Sequence, residues 1–247
     1  MSGHSKWANI KRRKEKSDAK KGKAFSRISK EIINAVKLGG GIGDPKINVR
    51  LRLAIQKAKE VNFPSDNIDR LIKKATSGEQ EAYHEMQYEL YGYGGVGMIL
   101  DIMTDNKNRI ASDIHVATNK RGGTVTVPGA VAYNFDRKGI ILISKHHGIE
   151  EEVFSAAIEA GAEDFSADEE DYVITTDPAH LYNVKEAIEK LGFPVDQAAI
   201  EMVPKSFIDV DGRTAEKNIA LIEWLEGIDD VDSVFHNMRE TGEALPA

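Results

Sequence analysis

The chain has 247 residues, of which 41% are hydrophobic and 30% are charged, and it contains no cysteine. This length is enough for one to three domains of about 100 to 200 residues each, and the lack of cysteine excludes disulfide scaffolds, cysteine-ligated metal sites and thiol nucleophiles. No apolar run approaches the ~20 residues of a membrane-spanning helix, and the N-terminus lacks the apolar segment of a secretory signal, so we expect a soluble, cytoplasmic protein.

The net charge of −7 conceals a strong separation of charge along the chain. Residues 1–78 carry 20 Lys and Arg against 7 Asp and Glu, a balance of +13, whereas the remaining residues carry 13 against 33, a balance of −20. Ordinary protein surfaces intersperse the two signs. The separation therefore predicts that the basic part binds a polyanion while the acidic part stays away from it, with a merely solvated surface as the alternative.

Apolar periodicity predicts three helices in the basic part. The first covers residues 17–38. Asp44 and Pro45 have the residue types of an N-cap and a first helical turn, and they predict a second helix that is broken by Pro64. A third, short helix follows and ends before Gly78. The basic part is thus predicted to be a small helical domain with cationic outer faces.

Beyond Gly78 the pattern changes to that of mixed strands and helices. Residues 96–103, 124–127 and 131–135 have the composition of strands, and residues 110–119 are predicted to form a helix. A complete second set follows over residues 139–203, in the order strand, helix, strand, strand, helix, strand. This order is that of the ferredoxin-like fold.

A predicted helix at residues 214–226 and a predicted strand at residues 231–236 supply the two elements that the first set lacks. The simplest arrangement is one ferredoxin-like domain inserted into another, because two domains in series would leave one with an incomplete sheet. The predicted fold class is therefore α+β and multidomain. Its parts are a basic helical domain at residues 1–78, a middle domain at residues 79–137 plus 205–240, and an inserted acidic domain at residues 138–204.

The basic helical domain contains the candidate binding residues. Nine Lys and Arg lie among the first 23 residues, against two acidic residues, which is typical of an arm that binds phosphates by counterion release without reading bases. Trp7 within this arm could stack on an unpaired base or anchor the arm on the helices. The predicted nucleic-acid-binding residues are Lys6, Trp7, Lys11, Arg12, Arg13, Lys14, Lys16, Lys20, Lys21, Lys23, Arg27, Lys46, Arg50 and Lys57.

Two short motifs have more than one interpretation. The glycines within residues 39–43 could hold a phosphate, but they follow a helix rather than a strand and lack a GK[ST] ending, which favours a connector. In TDNKNR, at residues 104–109, turn and cap chemistry alone can explain the Asp and Asn residues. Lys107 and Arg109 beside a helix N-terminus could instead face a phosphate or an acidic group.

Signatures of enzymes and metal sites are weak. The seven histidines show no metal-ligand spacing, and no GxSxG motif is present. Residues 150–171 contain ten carboxylates and no Lys or Arg, for which a solvated acidic face is favoured over a metal site. We predict no catalytic residue, no metal and no cofactor, and a hydrolase or metal enzyme is kept as a third alternative.

Five segments of the chain are distinctive, namely GHSKWANIKRRKEKSDAKKGKAFSRISKEI, DPKINVRLRLAIQKAK, NFPSDNIDRLIKKA, YGYGGVGMILDIMTDNKNRIASDI and AYNFDRKG. They resemble the YebC/PmpR family, which also includes a mitochondrial translational activator of cytochrome oxidase subunit one. The resemblance extends over nearly the whole chain, and it implies a helical N-terminal domain and two α+β domains. It also implies a role in transcriptional regulation through DNA or in translation at stalled ribosomes.

We therefore expect a non-enzymatic, nucleic-acid-binding regulator of gene expression. The family resemblance implies a transcriptional regulator that binds DNA. A ribosome-associated translation factor that binds ribosomal RNA and relieves stalling is the alternative, because the sequence contains no strong recognition helix and a large acidic remainder. The expected partners are DNA or ribosomal RNA through the basic helical domain and a basic protein through the acidic domain, with no membrane.

Overall fold

The computed structural model describes residues 21–78, 82–168 and 170–240, which form a helical domain followed by a two-part α+β region. This arrangement confirms the predicted α+β fold class. The helices are α1 (Lys21–Leu38), α2 (Val49–Glu60), α3 (Ser65–Thr76), α4 (Lys107–Arg121), α5 (Glu150–Glu159), α6 (Leu181–Lys190) and α7 (Gly212–Gly227). The strands are β1 (His84–Tyr91), β2 (Gly97–Thr104), β3 (Thr124–Val125), β4 (Phe135–Ser144), β5 (Asp164–Ala167), β6 (Asp171–Thr176), β7 (Gln197–Pro204), β8 (Ile208–Val210), β9 (Val231–His236) and β10 (Met238–Glu240).

The three helices of the basic domain enclose one small apolar core. Ile32 and Val36 of α1 and Leu51 of α2 are fully buried in it, and α1 packs against both α2 and α3. Phe25 and Phe63 meet edge to face with their ring centroids 5.0 Å apart. This aromatic contact joins the N-terminal half of α1 to the loop between α2 and α3.

The start of α2 differs from the prediction. Asn48, not Asp44, caps the helix, since the Asn48 side chain accepts a hydrogen bond from the backbone N–H of Leu51 at 3.0 Å. The amide of Asn48 also donates to the carbonyls of Ala35 and Ile42, at 2.8 and 2.9 Å. A buried amide that closes the loop while capping the helix outweighs the local preference of an Asp-Pro pair.

The sheet of the middle domain has the strand order β3-β1-β2-β9, with α4 and α7 packed against it around a large apolar core. All three strand pairs in this sheet are antiparallel. The chain contributes β1, β2 and β3 to this sheet and then β9, which comes after the second sheet has been completed.

The prediction of a strand at residues 131–135 was wrong. The sheet instead contains β1, which the sequence pattern did not reveal because only Glu89 and Leu90 of this strand are buried. The buried carboxylate of Glu89 instead accepts hydrogen bonds from the backbone N–H groups of Gly129, Val131 and Ala132, at 2.6, 2.6 and 2.8 Å. Donors bound to this carboxylate cannot pair with a neighbouring strand.

The second sheet contains β4 to β7 in the order β5-β6-β4-β7, again with antiparallel neighbours. Helices α5 and α6 cover one face of the sheet, where Val153, Leu181 and Ile188 pack on Ile141 and Ile174. The order of elements from β4 to β7 is strand, helix, strand, strand, helix, strand, as the sequence predicted.

A buried lysine fastens the basic helical domain to the middle domain. Lys30 of α1 donates from its ammonium group to the carbonyls of Met103 and Asp229, at 2.9 and 3.0 Å, and to Oδ1 of Asp230 at 3.0 Å. Both side chains are about nine-tenths buried. A second contact lies farther along α1, where Asn34 exchanges two hydrogen bonds with the backbone of Tyr83.

The other carboxylate oxygen of Asp230 also accepts hydrogen bonds from more than one group. Its Oδ2 atom accepts hydrogen bonds from Thr104 Oγ1 at 2.9 Å and from Arg109 Nε at 3.2 Å. Burial alone would raise the pKa of Asp230, but the hydrogen bonds from Arg109, Lys30 and Thr104 outweigh it and hold this pKa below its ordinary value. Asp230 is therefore an ionised carboxylate shared by α1, the end of β2 and α4.

Replacing Lys30 with methionine should destabilise the protein by about 3 kcal/mol, because it removes one partner of a buried ion pair and leaves two buried carbonyls without a donor. Urea denaturation followed by circular dichroism measures this change. The control is Lys59→Met on α2, an exposed residue whose replacement should change the unfolding free energy by less than about 0.5 kcal/mol. Equal effects of the two substitutions would contradict the role given to Lys30.

The stability that Asp230 confers should depend on pH. A carboxylate whose pKa is lower in the folded state stabilises fully above its ordinary pKa of about 3.9, and this stabilisation is lost as the pH falls through the lower folded value. The difference in unfolding free energy between the wild type and Asp230→Asn should thus be largest near neutral pH and shrink below about pH 4. Urea denaturation at a series of pH values tests this, with the exposed Asp69→Asn as control; a pH-independent difference would refute it.

Candidate nucleic-acid interface

Most of the predicted arm lies outside the described residues. This applies to Lys6, Trp7, Lys11, Arg12, Arg13, Lys14, Lys16 and Lys20, and their assignment stays a prediction. Lys21 is the first residue of α1. The arm therefore joins the described structure at the N-terminal end of that helix.

Three of the predicted cations have partners within the chain. Arg27 Nε lies 3.2 Å from one carboxylate oxygen of Glu31, and Lys57 Nζ lies 3.0 Å from the other. Half-exposed ion pairs of this kind contribute only about 0 to 1 kcal/mol, so a phosphate can compete for either cation. Lys23 differs, because its ammonium group donates to the carbonyls of Glu226 and Ile228 at the C-terminal end of α7.

Exposed cations of the basic helical domain lie on or just before α2, and also on α3, where Arg70, Lys73 and Lys74 are exposed. Lys46 and Arg50, both predicted, are exposed, and so are Arg52 and Lys59, which the sequence reasoning missed. The prediction chose cations at helical spacing from Lys46, whereas α2 begins only at Val49 and buries a narrow stripe of small and aliphatic residues. A helix that buries a narrow stripe exposes most of its circumference. The narrow apolar stripe of α2 could therefore have indicated from the sequence that Arg52 and Lys59 are exposed.

The glycine-rich segment after α1 behaves as a connector. The N–H groups of Gly39 and Gly41 donate to the carbonyls of Ala35 and Val36, which ends the helix. Gly40 and Gly41 have φ values of 76° and 78°, a region that favours glycine. The backbone geometry of this segment is that of a helix C-cap.

The TDNKNR motif fixes the junction between β2 and α4. The side chain of Asn106 caps α4 by accepting from the N–H groups of Asn108 and Arg109, at 3.1 and 3.0 Å. Arg109 pairs with Asp230 and with Asp105, so its donors already serve two carboxylates. The geometry shows the capping role for Asn106, and it pairs Arg109 with carboxylates of its own chain.

An acidic groove lies on the surface of the inserted acidic domain. It has a volume of about 410 Å³ and lies between α5 and the residues that follow α6, with Glu151, Glu152, Glu159, Ala156, Leu191 and Phe193 among its walls. Leu191 is 44% exposed. Apolar side chains rimmed by carboxylates provide a surface for a cationic partner with an apolar centre.

Among residues 21–78, 82–168 and 170–240, no three or more His, Asp or Glu side chains are grouped so that they could hold a metal ion. Within the same ranges, every helix is too short or too polar to cross a bilayer.

Sequence comparison shows similarity to one family along most of the chain. The profile described as the TACO1/YebC protein N-terminal domain matches residues 5–78. The profile described as the TACO1/YebC second and third domain matches residues 83–238.

Individual relatives are similar over nearly their full lengths. A Protochlamydia amoebophila protein named a probable transcriptional regulatory protein is 64% identical over 239 residues, which cover 97% of each chain. A Chlamydia pneumoniae protein of the same descriptive name is 55% identical over 239 residues, which cover 96% of this chain and all of that protein. The crystal structure of a conserved hypothetical protein from Aquifex aeolicus matches with a TM-score of 0.79 and 42% identity, over 93% of this chain and 95% of that one.

Proposed function

Because the chain belongs to the TACO1/YebC family, we propose that it is a regulator of gene expression that binds nucleic acid through its basic helical domain. The observation that carries this proposal is the separation of charge, +13 over residues 1–78 against −20 over the rest. Such a domain binds phosphates through counterion release, whatever the base sequence. Its relatives bear the names of regulators rather than enzymes.

The placement of the cations supports this proposal. Lys46 lies just before α2, and Arg50, Arg52 and Lys59 are exposed residues of α2. The described salt bridges leave these four side chains without a carboxylate partner. Cations held on a rigid helix and free to meet phosphates provide the positioning contacts of a nucleic-acid interface.

The nucleic acid that we propose first is DNA, in keeping with the names of the relatives as probable transcriptional regulatory proteins. Ribosomal RNA, bound by a translation factor that relieves stalling, is the second candidate. It is favoured by the large acidic remainder of the chain and by the lack of a strong recognition helix in the sequence. Recognition of RNA by its shape and phosphates does not require a helix that reads base edges in a major groove.

Replacing Lys11, Arg12, Arg13 and Lys14 together with alanine should weaken binding to every sequence about equally. Phosphate contacts carry no base information, and the loss of four of them should make the slope of log affinity against log salt less steep by about 3. Fluorescence anisotropy with duplex DNA and with a ribosomal RNA fragment, each at several salt concentrations, measures both effects. The probe bound more tightly at physiological salt identifies the preferred nucleic acid.

The charge-matched control replaces Arg137, Lys138, Lys185 and Lys190 with alanine in the same full-length chain. These four side chains lie in or beside the inserted acidic domain, so the control should bind both probes within about twofold of the wild type. If the control lost as much affinity as the arm variant, net charge alone would explain binding. A variant that kept its affinity but lost its preference for one sequence would show that residues 11–14 read bases.

We further propose that the acidic groove binds a basic protein of the transcription or translation machinery. The carboxylates of Glu151, Glu152 and Glu159 repel nucleic acid within a Debye length of about 8 Å, and the apolar wall of Phe193 supplies a non-polar contact. Complementary charge raises the specificity and association rate of such a contact more than its affinity.

Replacing Glu151, Glu152 and Glu159 with glutamine should leave binding to naked nucleic acid unchanged or tighter and abolish the regulatory effect in cells. Anisotropy measures the first, and transcript and protein levels in a strain that carries the variant measure the second. The control replaces Glu186 and Glu189, which lie on α6 outside the groove, and should retain regulation. A tenfold loss of nucleic-acid binding by the groove variant would show that this surface contacts the polyanion directly.

A further inference from the structure

Two cation and aromatic pairs lie on the outer face of the middle domain, where α4 and α7 are neighbours. The guanidinium of Arg121 lies 5.3 Å from the centre of the Trp224 ring, and Nζ of Lys217 lies 4.9 Å from the centre of the Tyr93 ring. Lys217 and Trp224 are seven residues apart on α7, which puts them two turns apart on one face at a separation of about 10 Å. Trp224 is 38% exposed.

The cations near these rings have no carboxylate partner in the part of the chain that the structure describes. Lys120, Arg121 and Lys217 lie farther than 4.0 Å from every carboxylate among the described residues, although Glu216 and Glu223 also belong to α7. Four other cations of the acidic part share this property, whereas the remaining six, Arg109, Lys138, Lys185, Lys190, Lys205 and Arg239, each lie within 4.0 Å of a carboxylate. Arg121 and Lys217 combine an unpaired charge with an adjacent aromatic ring on this face.

The turn that carries Tyr93 is fixed against α7 and the end of α4. The side chain of Asn218, which is fully buried, accepts a hydrogen bond from the N–H of Tyr93 at 2.8 Å and donates to its carbonyl at 3.0 Å. Gly122 has a φ of 80°, and a Cβ atom at this position would collide with the Tyr93 ring. The position of Tyr93 beside Lys217 is thus preorganised.

This surface adjoins the start of the basic arm. Lys23 donates to the carbonyls of Glu226 and Ile228, and Glu226 is only two residues beyond Trp224 on α7. Through Lys23, the first turn of α1 thus contacts the end of α7 that carries Trp224. A nucleic acid bound at this end of the basic helical domain is therefore near the Trp224 and Arg121 pair.

Resting on the proposed nucleic-acid binding, we propose that Trp224, Arg121, Lys217 and Tyr93 form a second contact site, which takes an unpaired, single-stranded segment of the nucleic acid. An exposed indole stacks on a base, and the neighbouring cations meet its phosphates. Arginine suits this role, because its guanidinium can lie over an aromatic ring while its donors remain available for phosphate oxygens. A paired base has no free face, so a duplex cannot use the ring in this way.

The test uses the fluorescence of Trp224 in the full-length chain. The chain has two tryptophans, Trp7 and Trp224, so a Trp7→Phe variant reports on Trp224 alone. Single-stranded RNA, single-stranded DNA and duplex DNA of equal length are titrated into this variant. We expect both single strands to quench the fluorescence and the duplex to leave it within a few per cent of its starting value, and the stronger single-stranded quencher identifies the source of the segment.

Substitutions provide an independent measurement. In the otherwise wild-type chain, Trp224→Ala with Arg121→Ala should weaken binding to single strands about tenfold, as expected for the loss of one stacked base, and change duplex binding less than twofold. Trp224→Phe retains an aromatic ring and should bind single strands with most of the wild-type affinity. If Trp224 had a purely structural role, the loss of affinity would follow the loss of thermal stability, which circular dichroism measures. The control Glu216→Gln on the same helix should not weaken binding.

The possible failures are distinguishable. If the single strands bind without quenching Trp224 and the double variant binds them like the wild type, the second site is refuted while binding by the basic helical domain stands. If no probe binds the wild-type chain, the proposed function itself is wrong, and the second site with it. Equal weakening of single-stranded and duplex binding would show that Arg121 acts only as a general phosphate contact and would refute base stacking.

Discussion

The carboxylate of Asp230 is the point on which the arrangement of the domains depends. One of its oxygens accepts from Lys30 of α1, and the other accepts from Arg109 of α4 and from Thr104 at the end of β2. A buried carboxylate with a single cation would be costly, because desolvation can exceed the gain from one ion pair. Three donors on the same group remove this cost, and they join segments that lie more than a hundred residues apart in the chain.

The contact of α1 with Asp230 determines which surfaces of the protein lie near one another. It holds α1 against the middle domain, so the N-terminal end of α1 lies beside the C-terminal end of α7, where Lys23 contacts the backbone carbonyls. The exposed cations of α2 and the cation and aromatic pairs of α4 and α7 consequently belong to one body. The carboxylates of residues 150–171 belong to the inserted unit, which is reached through β4 and β7. The acidic run of residues 150–171 thus lies in a different unit from the basic helical domain.

Much of the fold could be predicted because its signals are local. The helices and the second strand set follow from apolar periodicity, which depends on residues three, four or two positions apart. The prediction failed where a distant polar group decided the outcome. Residues 131–135 have the composition of a strand, but the carboxylate of Glu89 accepts hydrogen bonds from the backbone N–H groups of Val131 and Ala132. The strand β1 was missed because most of its residues are polar or exposed.

The candidate site was predictable to the same extent. Composition located the basic helical domain, but only the structure separates Lys23, which contacts carbonyls at a domain junction, from Lys46 and Arg50, which are exposed. The pairing of Arg109 with Asp230 and that of Arg121 with Trp224 could not be inferred from spacing, because each pair forms between elements brought together by the tertiary fold.

The most direct test of the account maps where nucleic acid contacts the chain. Ultraviolet cross-linking of the full-length protein to a bound strand, followed by mass spectrometry of the peptides, identifies these contacts without any substitution. The account predicts adducts within residues 1–78 and none within residues 150–171. Adducts concentrated in residues 150–171, with the basic helical domain unmodified, would contradict it.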